Sequence, residues 1–79
     1  ARFRWRVRQR LVYWYARLRK LEASIVDGES REVTLAHRSE LERIDRAVAR
    51  LNVPKAFTEA YYTLRSHIDL VRVRLAASG

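Results

Sequence analysis

Val7, Leu11, Trp14, Leu18, Leu21 and Ile25 follow one another at intervals of 4-3-4-3-4, and this spacing constrains the chain more than anything else in it. Apolar residues three and four apart share one side of an α-helix, whereas a half-buried strand needs a repeat of two. The pattern returns twice. Leu41, Ile44, Val48 and Leu51 repeat at 3-4-3, and Phe57, Tyr61, Leu64, Ile68, Val71 and Leu75 at 4-3-4-3-4. Three stripes of heptad-like spacing joined by short connections imply helices lying side by side at shallow angles, each antiparallel to the next. The expected fold is all-α, an antiparallel three-helix bundle with heptad-like packing, in one domain covering residues 1–79. Leu11, Trp14, Leu18, Leu41, Ile44, Val48, Leu64, Ile68 and Val71 are its expected core.

Punctuation between the stripes sets the helix ends at about 5–26, 34–52 and 56–76. Asp27-Gly28 supplies the first stop, because glycine accepts the left-handed conformation that closes a helix. Residues 27–33 read as a loop, with Ser30 or Thr34 placed to cap the second helix by accepting a hydrogen bond from a free backbone N–H. Asn52-Val53-Pro54 ends that helix, since the residue before a proline is pushed out of the helical region.

Seventy-nine residues bury only about 60–65% of the unfolded chain's surface, so three amphipathic helices form a thin core and self-association is expected. The chain has no cysteine, which removes disulfides and thiolate metal sites. It starts at Ala1 rather than methionine, as a processed or excised chain does.

The net charge of +8 is unevenly placed. Arg2, Arg4, Arg6, Arg8, Arg10, Arg17, Arg19 and Lys20 occupy the first 20 residues with no acid among them, while the other 59 residues carry nine basic and nine acidic side chains. Only the N-terminal quarter therefore calls for an anionic partner. Its first segment, RFRWRVRQR, alternates arginine with Phe3, Trp5 and Val7, a strand-like repeat. Residues 7–25 are committed to a helix, however, and an isolated strand has nothing to pair with. Residues 1–10 are thus a basic juxtamembrane segment continuous with the first helix. Its arginines spread around the circumference, with Arg stems and aromatic rings suited to a headgroup layer.

Catalytic chemistry finds no foothold. The two glycines, 28 and 79, exclude a Gly-rich phosphate loop, and no nucleophile stands beside an evident base. His37 and His67 have no second histidine at helical spacing, so no metal site and no cofactor are expected. The reading is a non-enzyme. Glu40, Glu42 and Asp45 alternate with Arg38, Arg43 and Arg46 as a solvated face, with Glu42 and Arg46 in the favourable i, i+4 order. Arg65, His67, Arg72 and Arg74 on the third helix form a possible interaction surface, with His67 making one hydrogen bond from a flank.

The segments FRWRVRQRLVYWYARLRKLE (3–22) and RLNVPKAFTEAYYTLRSHIDLVRVRL (50–75) together resemble the C-terminal helical extension of TAXI-type solute-binding proteins of TRAP transporters. The resemblance rests on Arg4-Trp5-Arg6, Trp14-Tyr15, Val53-Pro54 and the run from Tyr62 to Leu75, and it departs from the family pattern at Ala16-Arg17. It implies a small tail that follows a hydrophobic span and leaves substrate binding to a domain outside these residues. No small-molecule substrate is then expected on this segment.

Charge and resemblance agree on a non-catalytic, membrane-proximal interaction domain of a transporter component. Arg2, Arg4, Trp5, Arg6, Arg8 and Arg10 would contact the anionic membrane surface. Lysine and arginine next to a span place the domain on the cytoplasmic face of a bacterial inner membrane. A second copy or a transporter membrane subunit is the expected protein partner. The alternative is a free-standing cationic helical protein that binds membranes, as bacteriocins do, or nucleic acid. Nucleic acid is the less favoured partner, because the aromatic residues needed for base stacking are partly spent on packing and no recognised binding motif is present.

Overall fold

A computed structural model describes residues 2–78, with side chains described for residues 5–77. It consists of α1 (Arg2–Ser24), α2 (Arg31–Ala49), a 3-10 turn (Lys55–Phe57) and α3 (Thr58–Ser78). All three helix pairs touch, which gives the antiparallel three-helix bundle that the stripes require. The molecule is 46 Å long and 18 × 17 Å across. A helix of 23 residues is about 35 Å long, so no single helix runs the full length of the molecule.

The stripes become the core. Val7, Leu11, Leu18, Leu21 and Ile25 from α1, Leu41, Ile44 and Val48 from α2, and Leu64, Ile68, Val71 and Leu75 from α3 are buried. Trp14, Tyr15, Leu51, Val53, Phe57 and Tyr61 pack around them half-buried. Trp14 therefore edges the core instead of filling it, since its indole is too large for the narrow seam between α1 and its neighbours.

The helix ends differ from the sequence reading by a few residues, each for a local reason. α2 begins at Arg31, so Arg31–Val33 are helical and not part of the loop. Ser30 holds an extended backbone (φ −65°, ψ 158°) and its hydroxyl accepts from the Val33 N–H at 3.2 Å. Of the two candidate caps, Ser30 is the one used. Thr34 is buried instead, 3% exposed, and donates its hydroxyl to Glu29 Oε1 at 3.1 Å. The start of the third helix is a 3-10 turn, in which the Phe57 N–H donates to the Pro54 carbonyl at 2.9 Å. Gly28, at φ 77°, is the one residue in the left-handed region among those described, as a helix-ending glycine should be.

The carboxylates of α2 are not simply a solvated face. Glu40 accepts from Arg17 of α1 at 2.8 Å, while Glu42 and Asp45 accept from Arg72 of α3 at 3.0 and 2.8 Å. Arg43 lies 3.7 Å from Glu40, and the i, i+4 pair Glu42–Arg46 does not form. Residues that alternate in sign along one helix are shared between its two neighbours, because both α1 and α3 bring an arginine to the seam.

Candidate functional site

The connection from α2 to α3 lies at the same end of the bundle as the start of α1, because consecutive helices run antiparallel. Its charges join those of the N-terminal segment. Arg6, Arg8 and Arg10 are exposed on α1. Arg46 in the last turn of α2, Arg50 at its C-cap and Lys55 in the 3-10 turn stand at the same end. The side chains of these six residues make no hydrogen bond or ion pair with another described residue. The side chains of Arg2 and Arg4, also expected here, lie outside the described residues. Trp5 is 62% exposed, so a large ring faces water among the arginines. Among the described side chains of this segment only Val7 is buried, and the two-residue alternation of RFRWRVRQR leaves no strand behind.

The second expected group, on α3, is tied into the bundle. Arg72 donates to Glu42 and Asp45 across the seam and to Asp69 of its own helix at 2.7 Å. Arg65 donates to the Tyr61 hydroxyl at 3.1 Å, and Arg74 to the Ile25 carbonyl at 3.4 Å. The Glu40 carboxylate on Arg17, the Tyr61 hydroxyl on Arg65 and the Glu42 carboxylate on Arg72 hold these guanidiniums more firmly protonated than usual.

His67 bridges two turns of α1, making two hydrogen bonds where one was expected. Its Nε2 lies 3.0 Å from Glu22 Oε1 and its Nδ1 lies 3.2 Å from the Tyr15 hydroxyl. The tautomer that donates from Nε2 to the Glu22 carboxylate leaves Nδ1 to accept the Tyr15 hydroxyl, so one ring satisfies both partners.

A network that the sequence reading missed closes the opposite end. The Glu29 carboxylate accepts from the Val26 N–H at 3.2 Å, the Thr34 hydroxyl and His37 Nδ1 at 3.1 Å. Burial by itself would push the Glu29 carboxyl up. The hydrogen bonds from Val26, His37 and Thr34 outweigh it and hold the group below the ordinary carboxylate value. The signal was present in the spacing, since Thr34 and His37 extend the stripe Leu41-Ile44-Val48 backwards at 3-4 intervals. A search for apolar residues alone passes over them.

Among the described residues there is no cluster of three metal-ligating side chains, and no helix is long and apolar enough to cross a membrane. Compared with known protein families, curated proteins and solved structures, the chain matches none.

Proposed function

We propose that this chain is a non-catalytic helical domain whose basic end attaches to an anionic membrane surface. The observation that carries the reading is the collection of Arg6, Arg8, Arg10, Arg46, Arg50 and Lys55 at one end of a 46 Å rod without carboxylate partners, beside the exposed ring of Trp5. Each such charge near an anionic leaflet contributes about 1 kcal/mol, and a tryptophan at the boundary fits the headgroup layer. The body of the bundle then projects from the surface and offers its sides to a second copy or to a membrane subunit. The resemblance to the TAXI-type extension supplies the setting: a transporter component, with this domain at the cytoplasmic face.

Co-sedimentation with vesicles tests the reading. The protein is expected to pellet with phosphatidylglycerol vesicles and not with pure phosphatidylcholine, and to be released by salt as the charges are screened. Replacing Arg6, Arg8 and Arg10 together by glutamine removes up to about 3 kcal/mol, roughly a hundredfold in partitioning. Equal binding to neutral vesicles, or no binding to anionic ones, overturns it. A steep salt-dependent affinity for duplex or single-stranded nucleic acid without lipid preference assigns the same end to the alternative partner.

A further inference from the structure

A helix on the surface of a bundle turns polar side chains to water, and α2 does so. Ser39, Arg43, Arg46 and Arg50 are exposed on it, each two residues from a buried position and so about 200° around the helix from the core. α3 departs from this. The positions two residues from its buried Leu64, Ile68, Val71 and Leu75 include Tyr62, Ser66, Leu70 and Val73, all exposed. Tyr62 is 63%, Leu70 67% and Val73 66% exposed, so three large apolar side chains face water directly behind the core. Tyr62 and Leu70 line one shallow hollow over Ser66, and the Tyr62 ring is braced edge-on by Tyr61 at 5.6 Å between centroids.

With Glu59 added, the stripe Glu59, Tyr62, Ser66, Leu70, Val73 has intervals of 3-4-4-3, the same read in either direction. A two-fold axis through Ser66 therefore lays the stripe of one copy along that of another, running antiparallel. Tyr62 then meets Leu70 of the second copy and Leu70 meets its Tyr62, as a self-complementary contact requires. Ser66 is the small residue at the crossing and lets the helices approach. Charge selects the same direction. Glu59 is exposed and makes no hydrogen bond or ion pair with another described residue. The antiparallel register brings it beside Val73 and Arg74 of the second copy, at both ends of the contact. Parallel pairing would set Glu59 against Glu59 and Arg74 against Arg74, which like charge disfavours.

We infer that the outer face of α3 is the contact for a second copy of this chain, in an antiparallel dimer with Ser66 on its two-fold axis. The inference rests on the proposed function only in giving its second copy a place, and it does not need the basic end to bind lipid. The two basic ends lie at opposite poles of such a pair. A copy standing on one anionic surface thus holds its partner with the second basic end turned away, open to another surface. From Glu59 to Val73 the contact is about 21 Å long. That is a small interface, so the pair should dissociate in the micromolar range.

Sedimentation equilibrium of the full chain at increasing concentration tests the pairing, with a monomer-to-dimer transition expected. Leu70→Glu and Val73→Glu, both at exposed positions, should each weaken it by about tenfold or more with unchanged circular dichroism. The chain has no cysteine, so single cysteines read the register under mild oxidation. Ser66→Cys should cross-link to itself, Tyr62→Cys only to Leu70→Cys, and Ser39→Cys on α2 not at all. The parent chain should cluster phosphatidylglycerol vesicles, and Leu70→Glu should pellet with them without clustering them. Pairing without any vesicle binding supports the α3 contact and counts against the adhesive end alone. A monomer at every concentration overturns the assignment, as does pairing untouched by both glutamate substitutions. Tyr62→Cys cross-linking to itself as readily as Ser66→Cys overturns the antiparallel register.

Discussion

Glu29 carries more of the loop's order than any other side chain. Its carboxylate gathers Val26 of the α1–α2 connection and Thr34 and His37 of α2 onto two oxygens, and its side chain is only 6% exposed. Because the folded state lowers its pKa, its contribution is complete above the unfolded carboxylate value near 4.5. That contribution disappears as pH falls below this value and through the lower, folded one. Glu29→Gln is expected to lower the melting temperature at pH 7 and to flatten the acid limb of stability against pH below about 4.5, measured by circular dichroism melts from pH 3 to 7. An unchanged acid limb would mean that other carboxylates set the acid sensitivity. Arg72 is the corresponding residue between α2 and α3, but at 40% exposure solvent screening limits what its ion pairs contribute.

At the scale of the elements, the bundle depends on how each helix stops and starts. Gly28 has φ 77° and a Cβ built there would meet nothing within 4 Å. Gly28→Ala is therefore a pure backbone test, free of steric clash, with an expected cost of about 1–2 kcal/mol for a left-handed alanine. Ser30→Ala removes the hydroxyl that accepts from Val33 and should cost about 1 kcal/mol, a drop of about 4–8 °C in melting temperature for a domain of this size. Melting curves of both variants check the two values. A Ser30→Asp variant that retains wild-type stability would confirm that the accepting oxygen is the relevant group. Both start and stop signals were legible in the sequence, because glycine and serine act locally. The start of α2 lies at Arg31 instead of 34 because Ser30 rather than Thr34 provides the cap, and Thr34 is drawn inward by Glu29.

For the whole molecule, twelve buried aliphatic side chains among the described residues make up a single core one layer thick. Ile44 sits in it at 0% exposure, so Ile44→Ala should cost about 2–5 kcal/mol, a large share of what a chain of 79 residues can have in reserve. Urea unfolding of the variant against the parent measures it. A loss below about 1 kcal/mol would mean that the helices close up around the missing methylenes. The same thinness leaves an open groove between α1 and the start of α3, where Ala56, Ala60 and Thr63 present small side chains.

The sequence by itself determined the three helices, their antiparallel order and the identity of most core residues, because a 3-4 repeat of apolar side chains can be buried only on one side of a helix. It also located the charge excess, which is a property of composition along the chain. Tertiary structure decided the partners of the polar residues. Arg17, Arg72 and His67 find acceptors 23, 27 and 45 residues away, and Glu29 closes a loop with Thr34, read as a candidate cap, and His37. Only the fold adds Arg46, Arg50 and Lys55 to the N-terminal arginines, and only the fold opens a trough between α1 and α3. Periodicity records which side of a helix faces inward; which charge meets which, and where a seam stays unfilled, depends on the stagger and rotation of one helix against another.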